Sequence, residues 1–428
     1  MAHLETDIVI VGSGAGGATL AKELSLSSKQ VTLVEQGALH PQNKLGSEIL
    51  AYGFYEKHGL RSRTEEGVFY YRAFMAGGTT VVSCGNGIRC LEKELQELGI
   101  DLSEEFLEAE EELGIKPVPD AFIRENTKKI MQAADALGYH MQPMPKFIDF
   151  KRCISCGNCV LGCQSGAKWS AAKSCLEAKH KGVSLIEGLT VDRVLFEDGC
   201  AIGVEGHNLK GEKTKITARI VVLAAGGIGT PIILQNSAIA AGNKLFLDLF
   251  TVTMGLTSSI GMASEIPMAA VHKNQGFILS PFIDTPFVLA SVIPTTLRHG
   301  FNMSQRDHLL GIMTKIQDDS IGRVSASGKI QKTLTEQDAA KLEQGMQISE
   351  EILIKSGVKP QTIMKTKVRG AHPGATAAIG EVVDTNLQTK IKQLFVCDGS
   401  VLPVSPGLPP ILTIVALGKR LSRHLRTI

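Results

Sequence analysis

An α/β fold is what this sequence predicts: a doubly wound, mostly parallel sheet holding a nucleotide, with an interleaved α+β domain built on an antiparallel sheet. Three observations predict it. Residues 8–17, IVIVGSGAGG, run four apolar residues into Gly12, Gly14 and Gly17, which reads as strand, tight turn and helix. Gly12 permits the turn, Gly14 lets the backbone approach a pyrophosphate, and Gly17 lets the helix pack close to the strand, so phosphates would sit on exposed helix N–H groups. Glu35 ends a second apolar run, 31–34, at the distance expected of a ribose 2′-OH acceptor. Strand, glycines, helix, strand and acid in that order make a Rossmann-like unit for FAD or NAD. Residues 242–368 then change to Thr-rich and Phe-rich strand patterns with few helical periods before Thr335.

At 428 residues the chain is long enough for two interleaved domains with a large core. Its 43% hydrophobic and 21% charged residues are those of a soluble globular protein. Lys plus Arg at 45 against Asp plus Glu at 43 is too balanced to argue for nucleic acid or an anionic membrane. No basic n-region and cleavage site precede the first strand, so a cytoplasmic location is expected. Two apolar stretches, 245–263 and 277–297, each contain an Asp and are broken by Gly, Thr, Ser or Pro. They read as strands of a sheet rather than membrane spans.

Along the chain, residues 37–72 are loop-like, and AGGTTVVSCGNG at 76–87 concentrates small residues, which suit either close approach to a flat ligand or a plain glycine turn before a strand. Residues 102–114 form an acidic helix with a solvated face, and 122–137 a second helix stopped by Gly138. Residues 183–205 alternate like two hairpin strands around Glu197-Asp198-Gly199, and 216–225 is a buried strand entering Gly226-Gly227 and rejoining the nucleotide sheet. Thr335-Glu336-Gln337-Asp338 resembles a capping box opening a helix to Gly357. A last strand at 394–397 precedes a final helix beginning near Pro409-Pro410.

The glycine cradle, the turn Gly77-Gly78-Thr79-Thr80, AAGGIGTPIIL at 224–234, and HPGATAAIGEVVD and FVCDGSVLPVSPGLPPILTIVALGKR near the end occur in one order. With them the chain resembles the glucose-methanol-choline (GMC) oxidoreductases, flavoenzymes that oxidise alcohols. The resemblance implies a Rossmann-like FAD-binding domain from 1–241 and 369–428, with a Cys-rich insertion near 150–175. It implies a trimmed substrate domain at 242–368. It implies that Asp398 holds the ribityl or phosphate region of FAD, although an ordinary turn or helix-cap role is the alternative. The final helix, starting after Pro409, would aim its positive end at the flavin pyrimidine ring. With no His in 77–86, where some members attach the flavin covalently, the FAD is expected to be dissociable.

By the same resemblance His372, in RGAHPGAT, is the base for the substrate hydroxyl; imidazole has a pKa suited to that task near neutrality. Relatives pair this His with a second His or Asn in a segment like G-x-N-P. Here that segment is Gly407-Leu408-Pro409-Pro410, so Pro409 stands at a position without a hydrogen-bonding side chain.

Nine cysteines without an export signal argue for thiols or metal ligands rather than disulfides. Cys153, Cys156, Cys159 and Cys163 have the C-x2-C-x2-C-x3-C spacing of ferredoxin segments, which predicts a [4Fe-4S] cluster. Gln164 stands where ferredoxins carry Pro, and Cys84, Cys90 or Cys175 is the alternative fourth ligand. A structural zinc is the alternative metal. The expected activity is therefore FAD-dependent oxidation of a small alcohol to a carbonyl. Electrons would leave through the cluster to a one-electron acceptor protein or carrier. The alternatives are a non-catalytic electron-transfer subunit and an oxidase with structural zinc.

Overall fold

The computed structural model describes residues 2–40, 62–293 and 303–428. Parts of the 37–72 loop and the end of the 277–297 run therefore lie outside the described residues. The opening strand Ala2–Val11 pairs in parallel with Val31–Glu35 on one side and Lys213–Leu223 on the other. Ile8, Val9 and Ile10 are fully buried, as a continuous apolar run in a parallel sheet covered on both faces requires. Ser184–Glu187 adds beyond Val31–Glu35, and Leu394–Val396 pairs in parallel with the end of Lys213–Leu223.

The expected hairpin forms between Leu189–Glu197 and Cys200–Asn208. Its two-residue turn holds Asp198 at φ 49° and Gly199 at φ 75°, the left-handed pair that an Asp-Gly turn supplies. Gly188, at φ 72°, separates the hairpin from Ser184–Glu187 and frees that strand to join the parallel edge.

The second sheet is largely antiparallel. Leu249–Leu256 lies between Leu309–Ile316 and the short strand Arg369–Gly370, and Phe277–Pro281 and Ala270–Asn274 follow outward. Phe69–Tyr70 and Gln142–Pro143 close the two edges, so early segments also reach this sheet. The 277–297 run is not strand throughout. After Phe277–Pro281 it turns into the helix Pro286–Val292, because Pro281 and Pro286 cannot donate to a ladder and Pro286 suits a first helical turn.

The helix Glu336–Lys355 covers the second sheet and starts at the expected capping box. Asp338 N donates to Thr335 Oγ1 at 3.1 Å, and Thr335 N donates to Asp338 Oδ2 at 3.3 Å. The final helix Ile411–Thr427 begins just beyond Pro410, which takes the N-cap position. It packs on Ala15–Leu24 and on Ser103–Glu112. The acidic face of Ser103–Glu112 is not merely solvated: Lys419 Nζ binds Glu112 at 2.6 Å and Arg423 binds Glu108 at 2.5 Å. Among the described residues no helix is long and apolar enough to cross a membrane.

Candidate active site

Where the two sheets meet, a cavity of about 450 Å³ is lined by residues of both. The wall on the first sheet is built from backbone. Gly12 sits at φ 100°, and a Cβ there would lie 2.3 Å from Ala224 O, so only glycine fits the turn. A Cβ on Gly17 would lie 2.0 Å from Gly12 O, which makes Gly17 a packing position behind the wall. Gly14 differs: a Cβ there would meet nothing within 4 Å, and it borders the cavity. It is also the N-cap of Ala15–Leu24, and no side chain caps that helix. The first-turn N–H groups are thus left for an anionic ligand.

The second glycine turn is tied to the first. Gly77, at φ 89°, donates from N to Ser13 Oγ at 3.1 Å, and a Cβ on Gly78 would lie 3.2 Å from Gly14 Cα. Gly78, Thr79 and Thr80 border the cavity beside Gly14, whereas Gly77 itself packs against Ala172. Ser13 in turn donates from N and Oγ to Glu35 Oε2, at 3.0 and 2.6 Å. Glu35 Oε1 accepts from Gly37 N at 2.8 Å. Glu35 borders the cavity with its carboxylate in protein hands, and burial pushes its pKa up.

Asp398 also borders the cavity. Its Oδ2 accepts from Gly226 N at 2.8 Å and Thr230 Oγ1 at 2.5 Å, and its Oδ1 from Ser400 N at 2.7 Å. It thus joins the helix Gly226–Asn236 to the turn after Leu394–Val396. Burial raises its pKa. Pro409, Pro410 and Ile411 bring the uncapped start of the final helix to the same cavity.

The wall on the second sheet is built from side chains. Tyr71, Phe250, Met268, Phe282 and Met313 make it apolar, and His372 stands among them with 23% of its side chain open. Its Nδ1 lies 2.9 Å from Asp248 Oδ2 and 2.8 Å from Lys315 Nζ, and Lys315 Nζ donates to Asp248 Oδ2 at 2.7 Å. Asp248 Oδ1 accepts from Ser405 Oγ at 2.7 Å and Gly407 N at 3.0 Å. Asp248 is fully buried and held at φ 50°, a region Asp visits more readily than most residues. Burial and the neighbouring ammonium push the imidazole pKa down to about 4, which keeps His372 neutral near pH 7. A second ion pair lies nearby: Arg369 grips Asp284 in two contacts of 3.0 and 2.6 Å and donates to Tyr71 Oη at 3.1 Å.

Residue patterns led to His372, but Asp248, Lys315 and Asp284 lay in no motif, and Ser13 and Arg369, though inside the quoted motifs, carried no assigned role. One signal was present. Asp248 and Asp284 are the acids that interrupt the two apolar stretches, and an acid inside a buried strand run needs a partner.

The iron-sulfur expectation is overturned, and with it the zinc alternative. Among the described residues no group of three or more His, Cys, Asp or Glu side chains is placed to hold a metal ion. Cys156 is exposed, and Cys153, Cys159 and Cys163 are half-buried. Cys163 Sγ accepts from Lys168 N at 3.3 Å. Of the other ligands considered, Cys90 Sγ contacts Thr413 Oγ1 at 3.1 Å, Cys175 is buried with its thiol at about 12, and burial raises Cys84. The crowded small residues serve packing instead. A Cβ on Gly157 would lie 2.5 Å from Ala263 O, and the buried Lys168 Nζ donates to Val81 O, Ser83 O and Cys159 O, fastening the segment to the second glycine turn.

The family model for the N-terminal part of GMC oxidoreductases matches residues 7–262, and that for the C-terminal part matches 290–418. The chain belongs to the GMC oxidoreductase family. An uncharacterized protein of Methanocaldococcus jannaschii is 29% identical over 98% of this chain and 99% of its own. A long-chain-alcohol oxidase of Arabidopsis thaliana is 22% identical over 99% of this chain and 68% of its own. Among solved structures, pyridoxine 4-oxidase has a TM-score of 0.76 at 16% identity, covering 99% of each chain. Formate oxidase of Aspergillus oryzae has a TM-score of 0.76 at 15% identity, covering 100% of this chain and 99% of its own. These likenesses establish the GMC fold: a Rossmann-like α/β part joined to a part built on the second sheet.

Proposed function

We propose that this GMC oxidoreductase binds FAD without a covalent link and oxidises the hydroxyl of a small alcohol to a carbonyl. The cofactor part would comprise 1–241 and 369–428, and the substrate part 242–368. Gly12, Gly14, Gly78 and Thr79 would face the pyrophosphate, and Glu35 the adenosine ribose. Asp398 would fix the turn beside the flavin, with Pro409 at the ring. The open space at Gly14 and the uncapped helix behind it fit that cofactor. Bound FAD supplies two-electron oxidising power.

The single observation that carries the reading is His372, a neutral imidazole open to an apolar cavity and held by Nδ1. With Nδ1–H donated to Asp248, Nε2 would take the hydroxyl proton. Tyr71, Phe250, Phe282 and the two methionines exclude water and favour an alcohol with an apolar body. Pro409 gives the substrate oxygen no partner, so orientation would fall to His372 alone or with another polar group of the cavity wall. The relatives' names favour dioxygen as final acceptor over a carrier protein; peroxide yield per alcohol consumed separates the two.

Anaerobic mixing of the yellow protein with a panel of alcohols should bleach the flavin absorbance. His372→Gln should slow that bleaching by roughly 10²- to 10⁴-fold while FAD stays bound. Bleaching at the unchanged rate in that variant would remove His372 from the chemistry.

A further inference from the structure

Resting on the alcohol-oxidising reading of the site, we propose that His372 is a neutral relay and that Lys315 Nζ is where the substrate's hydroxyl proton comes to rest. Three atoms form a closed triangle beneath the imidazole: Lys315 Nζ to Asp248 Oδ2 at 2.7 Å, Asp248 Oδ2 to His372 Nδ1 at 2.9 Å, and His372 Nδ1 to Lys315 Nζ at 2.8 Å. An ammonium and a protonated Nδ1 cannot share the last contact, because both would be donors. Two arrangements remain. With Lys315 as ammonium, Nδ1 accepts from it and makes no hydrogen bond to Asp248, since both would be acceptors; the imidazole proton sits on Nε2, and the cavity meets a donor. With Lys315 as free amine, Nδ1 donates to Nζ, Lys315 still donates to Asp248, and the cavity meets the Nε2 lone pair. The protonation state of Lys315 thus selects the working tautomer of His372.

The transfer balances. The substrate O–H bond breaks as an N–H bond forms at Nε2, and the Nδ1–H bond breaks as a third N–H bond forms on Nζ. The carbinol C–H bond breaks with its electron pair going to the flavin as oxidant, leaving a carbonyl. His372 ends neutral, its proton moved from one nitrogen to the other, and Lys315 ends as an ammonium beside Asp248.

The surroundings suit that end point. Lys315 is 2% exposed, and burial lowers its pKa despite Asp248. Besides Asp248 and His372 it faces Asp318 and Cys90. Asp318 is occupied by Lys332 Nζ at 2.8 Å, and Cys90 is held as a thiol by burial. The amine form leaves the two carboxylates facing one ammonium, so arrival of the proton completes a second ion pair. An imidazolium at His372 would instead stand beside an ammonium, consistent with its depressed pKa of about 4.

The test is the pH dependence of flavin reduction in the FAD-loaded enzyme, together with ¹⁵N spectra of labelled histidine, His372 being assigned by its loss in His372→Gln. In the wild type the rate should fall on the acid side through one ionisation centred well above the value of about 4 belonging to His372. Through the same ionisation His372 should change from the Nε2–H to the Nδ1–H tautomer. Lys315→Arg keeps the charge but cannot give up a proton, so it should hold one tautomer at every pH and lose at least the roughly 10²-fold ascribed to a general base. Lys315→Met should lose the tautomer change. A limb at or below about 4, a tautomer that never changes in the wild type, or wild-type rate and profile in Lys315→Arg would each overturn the relay. If no alcohol bleaches the wild-type flavin, the alcohol reading fails alone. The tautomer titration of the wild type and Lys315→Arg, which needs no substrate, still decides whether Lys315 governs His372.

Discussion

The two walls of the cavity solve opposite problems. The first-sheet wall presents main chain, with Gly14 and Gly78 bare and Ser13 bridging Glu35 to Gly77. The second-sheet wall presents side chains, with His372 and Lys315 gathered on one buried carboxylate. A backbone wall carries its hydrogen-bonding groups at every residue, so it fails only when something occupies its space. A side-chain wall fails when one member leaves, because the partners remain buried and unpaired. The same cavity should therefore respond to bulk on one side and to deletion on the other.

Gly14→Val sharpens that contrast most, since its Cβ enters open space with nothing of the protein within 4 Å. Purified protein should be colourless, without flavin reduction, yet melt as a folded chain; full FAD content would contradict the backbone wall. Gly17→Ala is its control: a Cβ 2.0 Å from Gly12 O should lower the melting temperature.

On the other wall, Asp248→Ala leaves the buried Lys315 without its carboxylate partner and removes the acceptor of Ser405 Oγ and Gly407 N. Losing one partner of a buried pair costs about 3–5 kcal/mol, measurable by denaturant titration. A cost within error would show that the triangle holds nothing in place.

A smaller effect concerns pH. His372 titrates near 4 when folded but near 6.5 when unfolded, so the unfolded chain binds more protons between those values. Stability from this group is present above the upper value and lost as pH falls; His372→Gln should flatten that part of the stability curve.

The smallest effect is expected at Cys156→Ala. The exposed thiol serves no metal, so FAD content and reduction rate should match the wild type. A large loss of rate would return the cysteine segment to the chemistry.

What was legible before folding follows from the same contrast. Where backbone is the device, the glycines must be adjacent in sequence, and 8–17, 77–79 and Glu35 declared the first wall. Hairpin, capping box and final helix were likewise local. The second wall draws Asp248, Lys315, His372 and Ser405 from four separate segments, so no spacing could announce it. Apart from the motif around His372, the only trace was an acid inside each apolar run. The cysteine spacing misled for the converse reason: spacing fixes order along the chain, whereas ligation needs convergence. Gly157 and Lys168 dedicate that segment to packing.

In the proposed reaction an alcohol surrenders hydride to a bound flavin in this cavity. Anaerobic rapid mixing with a primary alcohol and its carbinol-dideuterated form measures that step alone. Flavin bleaching by the protiated alcohol, slowed severalfold by deuterium, is the predicted result; bleaching at equal rates, or none with any alcohol, would contradict it.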